Sequence, residues 1–446
     1  MKTASLTSGS VSGAFLRLTA PLIVGNILQQ FYNTVDALVV GRFVGENEFA
    51  AVGIASSAMN LFLFAAVGAC IGISVILAQL YGAGDLDAFR REHYTAFVGG
   101  LAIFTAAAVL GCLSSPLLLR ALQTPTELER ATKIYLITVL AALPASYAYN
   151  FYSALLRSVG KVCAALVILA LSVAANLLLA LLFITVFDWG IFGAAGATFV
   201  AQYAAAVASR LYLKRRMPEL MFEGGDRHFD KALARKTLSF AGVTALQQTG
   251  LYLGKLCVQG AVNAMGTPYI SAYTATTRIE GFANSFGDSG ASAASVLVAQ
   301  NYGAHDKKRV KRSAAVSFAM LSALGVLSSL VLYFLAAPLS RFMLGTGVGE
   351  SFTQAQEYIK TVALFYVLCF TGNAFAGYFD GIGKVRVSMC GSLGHIAMRI
   401  VLSWLLIARM GLSAVALATG IGWTAVNVFW LVKYLRSQRE TESAEM

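Results

Sequence analysis

Charge is what this chain has least of. Asp, Glu, Lys and Arg together make up 13% of its 446 residues, about half the share of a soluble domain, while 57% are apolar and the mean hydropathy is +0.68. That balance excludes an ordinary globular enzyme. Histidine is also scarce: His93, His228, His305 and His395 are scattered without metal-ligand spacing. The cysteines (Cys70, Cys112, Cys163, Cys257, Cys369, Cys390) fall singly within or beside apolar stretches, with no Cys-x-x-Cys pair, so they are expected to pack rather than to form a zinc or redox site. A G-x-x-x-x-G-K-[ST] phosphate loop, a G-x-S-x-G elbow and an H-E-x-x-H motif are all missing, and Gly381-Ile382-Gly383-Lys384 lacks the phosphate-loop spacing. The sequence therefore predicts no catalysis and no cofactor.

What the chain has instead is length in apolar runs. A spanning helix needs about 20 mostly apolar residues, and twelve stretches qualify: 15–38, 50–80, 95–119, 134–156, 163–187, 190–213, 237–262, 268–299, 313–339, 355–379, 388–408 and 411–434. Val162 to Phe187 carries no charge at all before Asp188. Strands of a membrane barrel would be shorter and would alternate. The expected class is an all-α polytopic membrane protein.

The net charge of +12 does not point to nucleic acid, because the basic residues are dispersed in short loops. It points to topology. With a cytoplasmic N-terminus, the inner loops hold dense groups such as Lys214-Arg215-Arg216 and Lys307 to Arg312, whereas the outer side holds only Arg42, Arg120, Arg130, Lys133, Arg341 and Arg409. The positive-inside rule then places both termini on the cytoplasmic side of the membrane. The polar opening MKTASLTSGSVSG lacks the order of a cleaved signal peptide, so the first span is expected to stay attached.

The most informative pattern is internal. VILAQLYGAGDLDAFRR (Val75 to Arg91) returns as VLVAQNYGAHDKKRVKR (Val296 to Arg312), with an offset of 221 residues, and Val159-Gly160-Lys161-Val162 returns near that offset as Ile382-Gly383-Lys384-Val385. Six spans per half is an even number, so the copies are parallel repeats related about the membrane normal. Such repeats enclose a central cavity that rocking opens to either side in turn. The expected organisation is residues 1–213 as an N-terminal six-helix bundle, 214–236 as a cytoplasmic linker, and 237–446 as a C-terminal six-helix bundle.

These motifs resemble the multidrug and toxic compound extrusion family, and its bacterial multidrug-exporter branch in particular. The residues that carry the resemblance are PLIVGNILQQFYNTVDALVVGRFVG (Pro21 to Gly45), the paired AQ-x-YGA loops, LLRSVGK (Leu155 to Lys161) and GIFGAAGAT (Gly190 to Thr198). The resemblance implies secondary antiport: export of amphipathic, often cationic, compounds in exchange for protons or sodium ions. It also implies a first span bent at Pro21 and an ion-coupling acid at Asp36, with Asn176 and Thr198 beside it and a sodium site there if sodium is the coupling ion. Where relatives place a second acid one turn after the Asn, this chain has Ala180, and its seventh span offers Lys255 rather than a carboxylate. Proton and sodium both stay open.

Retained charge inside a bilayer usually faces a cavity or a partner. Gln29, Asn33 and Asp36 share one face of the first span, and Gln29, Gln30, Phe31 and Asn33 are candidates to line the substrate cavity. In the eighth span Glu280, Asn284 and Asp288 form a second stripe. It is either an auxiliary coupling site together with Lys255 or a charge-neutralising cluster in which Glu280 pairs with Arg278 or Lys255. Tyr147, Tyr252, Tyr273 and Phe282 are candidates to line a substrate cavity, since aromatic faces attract cations, although each also suits ordinary packing. The offset carries Asp36 onto Cys257, which makes the first half the expected coupling half. The expected partners are small amphipathic molecules and the lipid bilayer, with no nucleic acid, and the expected oligomeric state is a monomer. The rival reading is a flippase for lipid-linked sugars or a peptidoglycan precursor, which the small number of buried cations disfavours.

Overall fold

The computed structural model describes residues 6–226 and 229–443, apart from the side chains of Asn33, Thr34, Asp36, Ala37, Leu38, Glu46 and residues 440–443. Its helices are α1 (Val11–Phe43), α2 (Glu46–Ala83), α3 (Leu86–Leu113), α4 (Ser115–Ala121), α5 (Thr126–Ala141), α6 (Leu143–Ser158), α7 (Val162–Leu181), α8 (Gly190–Arg216), α9 (Lys231–Asn263), α10 (Thr267–Gly303), α11 (Lys307–Phe334), α12 (Ala336–Leu344), α13 (Glu350–Ala363), α14 (Tyr366–Gly381), α15 (Val385–Met410) and α16 (Leu412–Ser443). No strand occurs among the described residues. Helices meet the constraint that lipid imposes, because each satisfies its backbone polar groups within its own segment.

By length and composition eight helices can each cross a membrane: α1, α2, α3, α7, α8, α11, α15 and α16. Two bent pairs, α5 with α6 at 43° and α13 with α14 at 53°, raise that to ten. The first bend coincides with Pro144 at the start of α6, where the ring removes a donor and crowds the preceding turn. The twelve apolar stretches of the sequence are completed by α9 and α10, which are long enough at 33 and 37 residues. They carry too much polar side chain, Lys255, Arg278, Glu280 and Asp288 among it, to pass on composition alone.

The described residues pack as two compact units, one within residues 24–249 and the other of residues 6–23 with 250–443. The segment 214–236, expected to link two bundles, therefore lies inside the first unit, and the division falls within α1 and within α9. Hydrogen bonds explain this. In the first unit α3 holds the segment before α9, through Arg90 Nη1 to the Glu219 carbonyl at 3.3 Å, Arg90 Nε to Asp226 at 3.0 Å and His93 Nδ1 to the Leu220 carbonyl at 2.9 Å. In the second, Arg309 at the start of α11 holds the segment before α1, donating to the carbonyls of Leu6, Ser8 and Gly9 at 3.0, 2.8 and 3.0 Å.

The sequence repeats turn out to be helix ends. Gly160 and Gly383 sit at φ of +78° and +79°, and around them the Lys161 and Lys384 amides each reach back to the carbonyl five residues earlier at 2.8 Å, while the glycine amides reach back three residues at 2.9 Å. That is the Schellman closure, which needs a left-handed residue. The AQ-x-YGA loops close in the same way and then restart a helix: Asp85 and Asp306 each accept from an amide of the next turn at 2.9 Å, which satisfies an otherwise orphaned donor.

Close packing inside each unit rests on small residues four apart. On α2, a Cβ at Gly72 would lie 2.7 Å from the Phe240 carbonyl of α9. On α14, a Cβ at Gly377 would lie 2.6 Å from the Ala291 carbonyl of α10, and one at Gly381 2.8 Å from that of Ser295. Gly68-x-x-x-Gly72 and Gly377-x-x-x-Gly381 thus let backbones touch, as interfaces without a hydrophobic driving force require. Replacing Gly160 or Gly383 by Ala is expected to cost about 1–2 kcal/mol, the penalty of a left-handed non-glycine residue, seen as a lower midpoint in thermal unfolding of the purified protein. An unchanged midpoint for both variants would contradict the assigned turn geometry.

Candidate functional site

The helix α1, within which the division between units falls, carries Pro21 in its second-unit part and, in its first-unit part, half-buried Gln29 and Gln30 and exposed Phe31. The side chains of Asn33 and Asp36 lie outside the described residues. The other two residues of the expected coupling set meet: Asn176 on α7 donates through Nδ2 to Thr198 Oγ1 on α8 at 3.1 Å. Asn176 is 4% exposed, and its Oδ1 is buried with no hydrogen-bond partner among the described residues. A buried carbonyl oxygen without a donor is costly, and it is well suited to accept from a protonated acid or to ligate a hard cation. Ala180, one turn on, is buried and apolar.

Tyr147 departs from its expected place. It is fully buried, stacks on Phe104 at 5.0 Å and donates its hydroxyl to the Ala96 carbonyl at 2.7 Å. Its ring lies over Gly100 of α3, where a Cβ would collide with it. Packing consumes its whole surface, so it lines no cavity.

In the second unit α10 carries the expected stripe, graded in exposure: Glu280 is buried, Asn284 half-buried and Asp288 exposed. Lys255 and Arg278 are exposed rather than buried, and neither forms an ion pair with Glu280 within 4.0 Å among the described residues. The partner of Glu280 is instead Tyr358 of α13, which donates to Oε2 at 2.9 Å. Arg399 of α15, 8% exposed, donates through Nη2 to the Tyr358 and Tyr273 hydroxyls at 3.4 Å each. A buried acid and a buried cation are thus joined by a shared hydroxyl.

Tyr273 is therefore a member of this buried cluster, 3% exposed and edge-on to Tyr358 at 6.1 Å, and not an open aromatic wall. Tyr252 and Phe282 are half-buried. Nothing in the sequence paired Arg399 with Glu280. Nor did anything distinguish Tyr358, the single tyrosine of a helix of mixed polar and apolar residues, as a partner for a buried acid.

Two hollows, of about 710 and 520 Å³, lie along exposed faces of α3 and α8 and are lined almost wholly by apolar side chains. Each is bounded by one helix, the form of a lipid-facing groove rather than of a binding site. Among the described residues no group of three or more His, Cys, Asp or Glu could hold a metal ion.

The Glu280–Tyr358–Arg399 linkage has a measurable consequence. Removing one member of a buried charge pair costs about 3–5 kcal/mol, whereas replacing both costs far less. Arg399→Leu is therefore expected to lower the unfolding midpoint more than the double variant Glu280→Gln/Arg399→Leu does. Additive losses in that cycle would show that the two charges are not coupled.

Comparison with known proteins agrees with this architecture. The MatE family model matches residues 21–182 and again residues 244–405, one copy per sequence half. A relative named probable multidrug resistance protein YpnP of Bacillus subtilis is 26% identical over 426 residues, 94% of each chain. The probable multidrug resistance protein NorM of Caulobacter vibrioides is 27% identical over 332 residues, 71% of this chain and 68% of that protein. Among solved structures, an outward-facing multidrug resistance MATE transporter superposes with a TM-score of 0.90 at 19% identity, covering 98% of both chains. A MATE structure in the straight conformation superposes at 0.91 with 18% identity and 99% of both chains covered. MATE structures have twelve helices in two bundles. This chain, with its duplicated match and its helical membrane architecture, belongs to the MATE family of multidrug efflux transporters.

Proposed function

We propose that this protein is a secondary antiporter that exports amphipathic, often cationic, compounds in exchange for protons or sodium ions. Asp36 is the ion-coupling acid, and Asn176 and Thr198 are its polar neighbours. The observation that carries the reading is the Asn176–Thr198 pair: a buried amide fixed by one hydrogen bond, with its carbonyl oxygen unpartnered among the described residues. Such an oxygen gains a partner when an acid beside it takes up a proton or when a cation enters. Ion loading is then favourable in one conformation and not in the other, and differential affinity of that kind is the only means by which a ligand shifts a conformational equilibrium.

Pro21 supports the same reading. Its missing N–H leaves α1 without one backbone bond, so the span that carries Asp36 bends at lower cost than an uninterrupted helix. Ion and exported compound would stabilise opposite states of one alternating-access cycle. The basic inner loops support a bacterial plasma-membrane location with both termini cytoplasmic, and the protein would act as a monomer.

Proteoliposomes loaded with a fluorescent cation and given a pH gradient or a sodium gradient separately will test this. One gradient alone is expected to drive efflux and so to identify the coupling ion. Asp36→Asn is expected to abolish that efflux, and Asn176→Leu to weaken the apparent affinity for the ion about tenfold, the value of one hydrogen bond to a charged group. Wild-type efflux from Asp36→Asn, or efflux driven by neither gradient, would refute the assignment.

A further inference from the structure

The strap that ties the segment before α9 to α3 contains a buried acid for which coupling has no use. Glu92 is fully buried. Its Oε1 lies 2.6 Å from Thr237 Oγ1 of α9, and its Oε2 has no partner among the described residues. No cation lies within 4.0 Å of it among the described residues. The nearest charges from the elements packed around it are Lys236 on α9 and Asp230 just before α9, opposite in sign. The Lys236 side chain is exposed and lies over the Phe240 ring. Tyr147 of α6 faces Glu92 electrostatically, but its hydroxyl proton is committed to the Ala96 carbonyl. Beside Glu92 on α3, His93 bonds the Leu220 carbonyl, so its Nδ1 carries the hydrogen, and Arg210 of α8 acts on His93 rather than on Glu92.

The Thr237 hydroxyl decides the protonation state. It lies 2.8 Å from the Leu233 carbonyl one turn back, and a hydroxyl has one proton to give. An anionic Glu92 would take that proton, leave Oε2 bare and remain an unpaired charge in the interior, which proteins avoid. A neutral Glu92 donates to Thr237 Oγ1, which passes its own proton to Leu233, and every hydrogen in the chain is used.

We propose that Glu92 is a proton-binding site: it is held as the neutral acid, donates to Thr237, and so fastens the start of α9 to α3. Around it the same joint includes the Asp230 amide donating to Thr95 Oγ1 at 3.3 Å and the Asp226–Arg90 ion pair at 3.0 Å. The closed joint holds one proton more than the open one. It is therefore firmest at low pH and loosens by up to about tenfold per pH unit, until the closed form itself loses the proton. The proposal holds whichever ion drives transport, so its failure and that of the antiport reading are separate outcomes.

The test is amide hydrogen exchange of residues 231–240 in the full-length protein in lipid nanodiscs across neutral to alkaline pH, corrected for the intrinsic dependence of exchange on hydroxide. Wild-type protection is expected to fall with pH. In Glu92→Gln it should stay high and flat, because the amide donates to Thr237 without titrating, and in Thr237→Val it should be low at every pH. Flat protection in the wild type, or a pH response in Glu92→Gln equal to that of the wild type, overturns the proposal. Infrared spectra of the same samples give a second reading: a carboxylic-acid carbonyl band at neutral pH that is missing in Glu92→Gln is expected, and its absence from the wild type overturns the protonation assignment.

Discussion

A backbone amide or carbonyl in hydrocarbon has no water to turn to, and most of this structure follows from that constraint. The chain answers it with helices whose ends are closed by specific devices. Where α6 and α14 end, Gly160 and Gly383 take the left-handed conformation that lets two amides fold back on the final carbonyls. Where α3 and α11 begin, Asp85 and Asp306 supply the acceptors that the first-turn amides lack. The residues that recur between the two halves are thus largely those that finish one helix and start the next, which is why they survive at equal spacing while the apolar residues between them differ.

The same scarcity of water governs the polar side chains. Three sets of buried polar groups are joined across helices: Asn176 to Thr198, Glu280 to Arg399 through Tyr358, and Glu92 to Thr237. Each joins two or more helices, so each couples the ionisation or ligation of one group to the relative position of helices. In an efflux transporter of the MATE family that is a useful property. An ion that changes the charge or the hydrogen bonding of such a group changes the cost of keeping two helices together.

The two units solve the problem with different chemistry. The second carries its own cation, because the Arg399 guanidinium reaches the acid of α10 through a tyrosine hydroxyl. The first has an unpartnered amide oxygen at Asn176 and, towards the basic loops, an acid with no cation beside it. Both units nevertheless hold the segment that leads into the first helix of the opposite sequence half, with Arg309 gripping residues 6–9 and α3 gripping residues 219–237. The polar stretch 214–236 is a structural strap as well as a connection.

The sequence by itself determined the class, the number of spans, the duplication and the family, because these rest on properties that add along the chain: apolar length, the period of repetition, and the residues that turns demand. It also brought Asn176 and Thr198 together, through their place in a motif. It could not say that the units divide within α1 and α9, nor that Tyr147 is packed solid against Gly100 while Lys255 is exposed. Nor could it find the partner of Glu280: it offered Arg278 or Lys255, and only the approach of α10, α13 and α15 brings Tyr358 and Arg399 to that acid. Glu92 drew no notice for the same reason. A glutamate near a helix start reads as a solvated charge until α9 is seen to close over it, and burial is a property of neighbours that the chain brings in from far along its length.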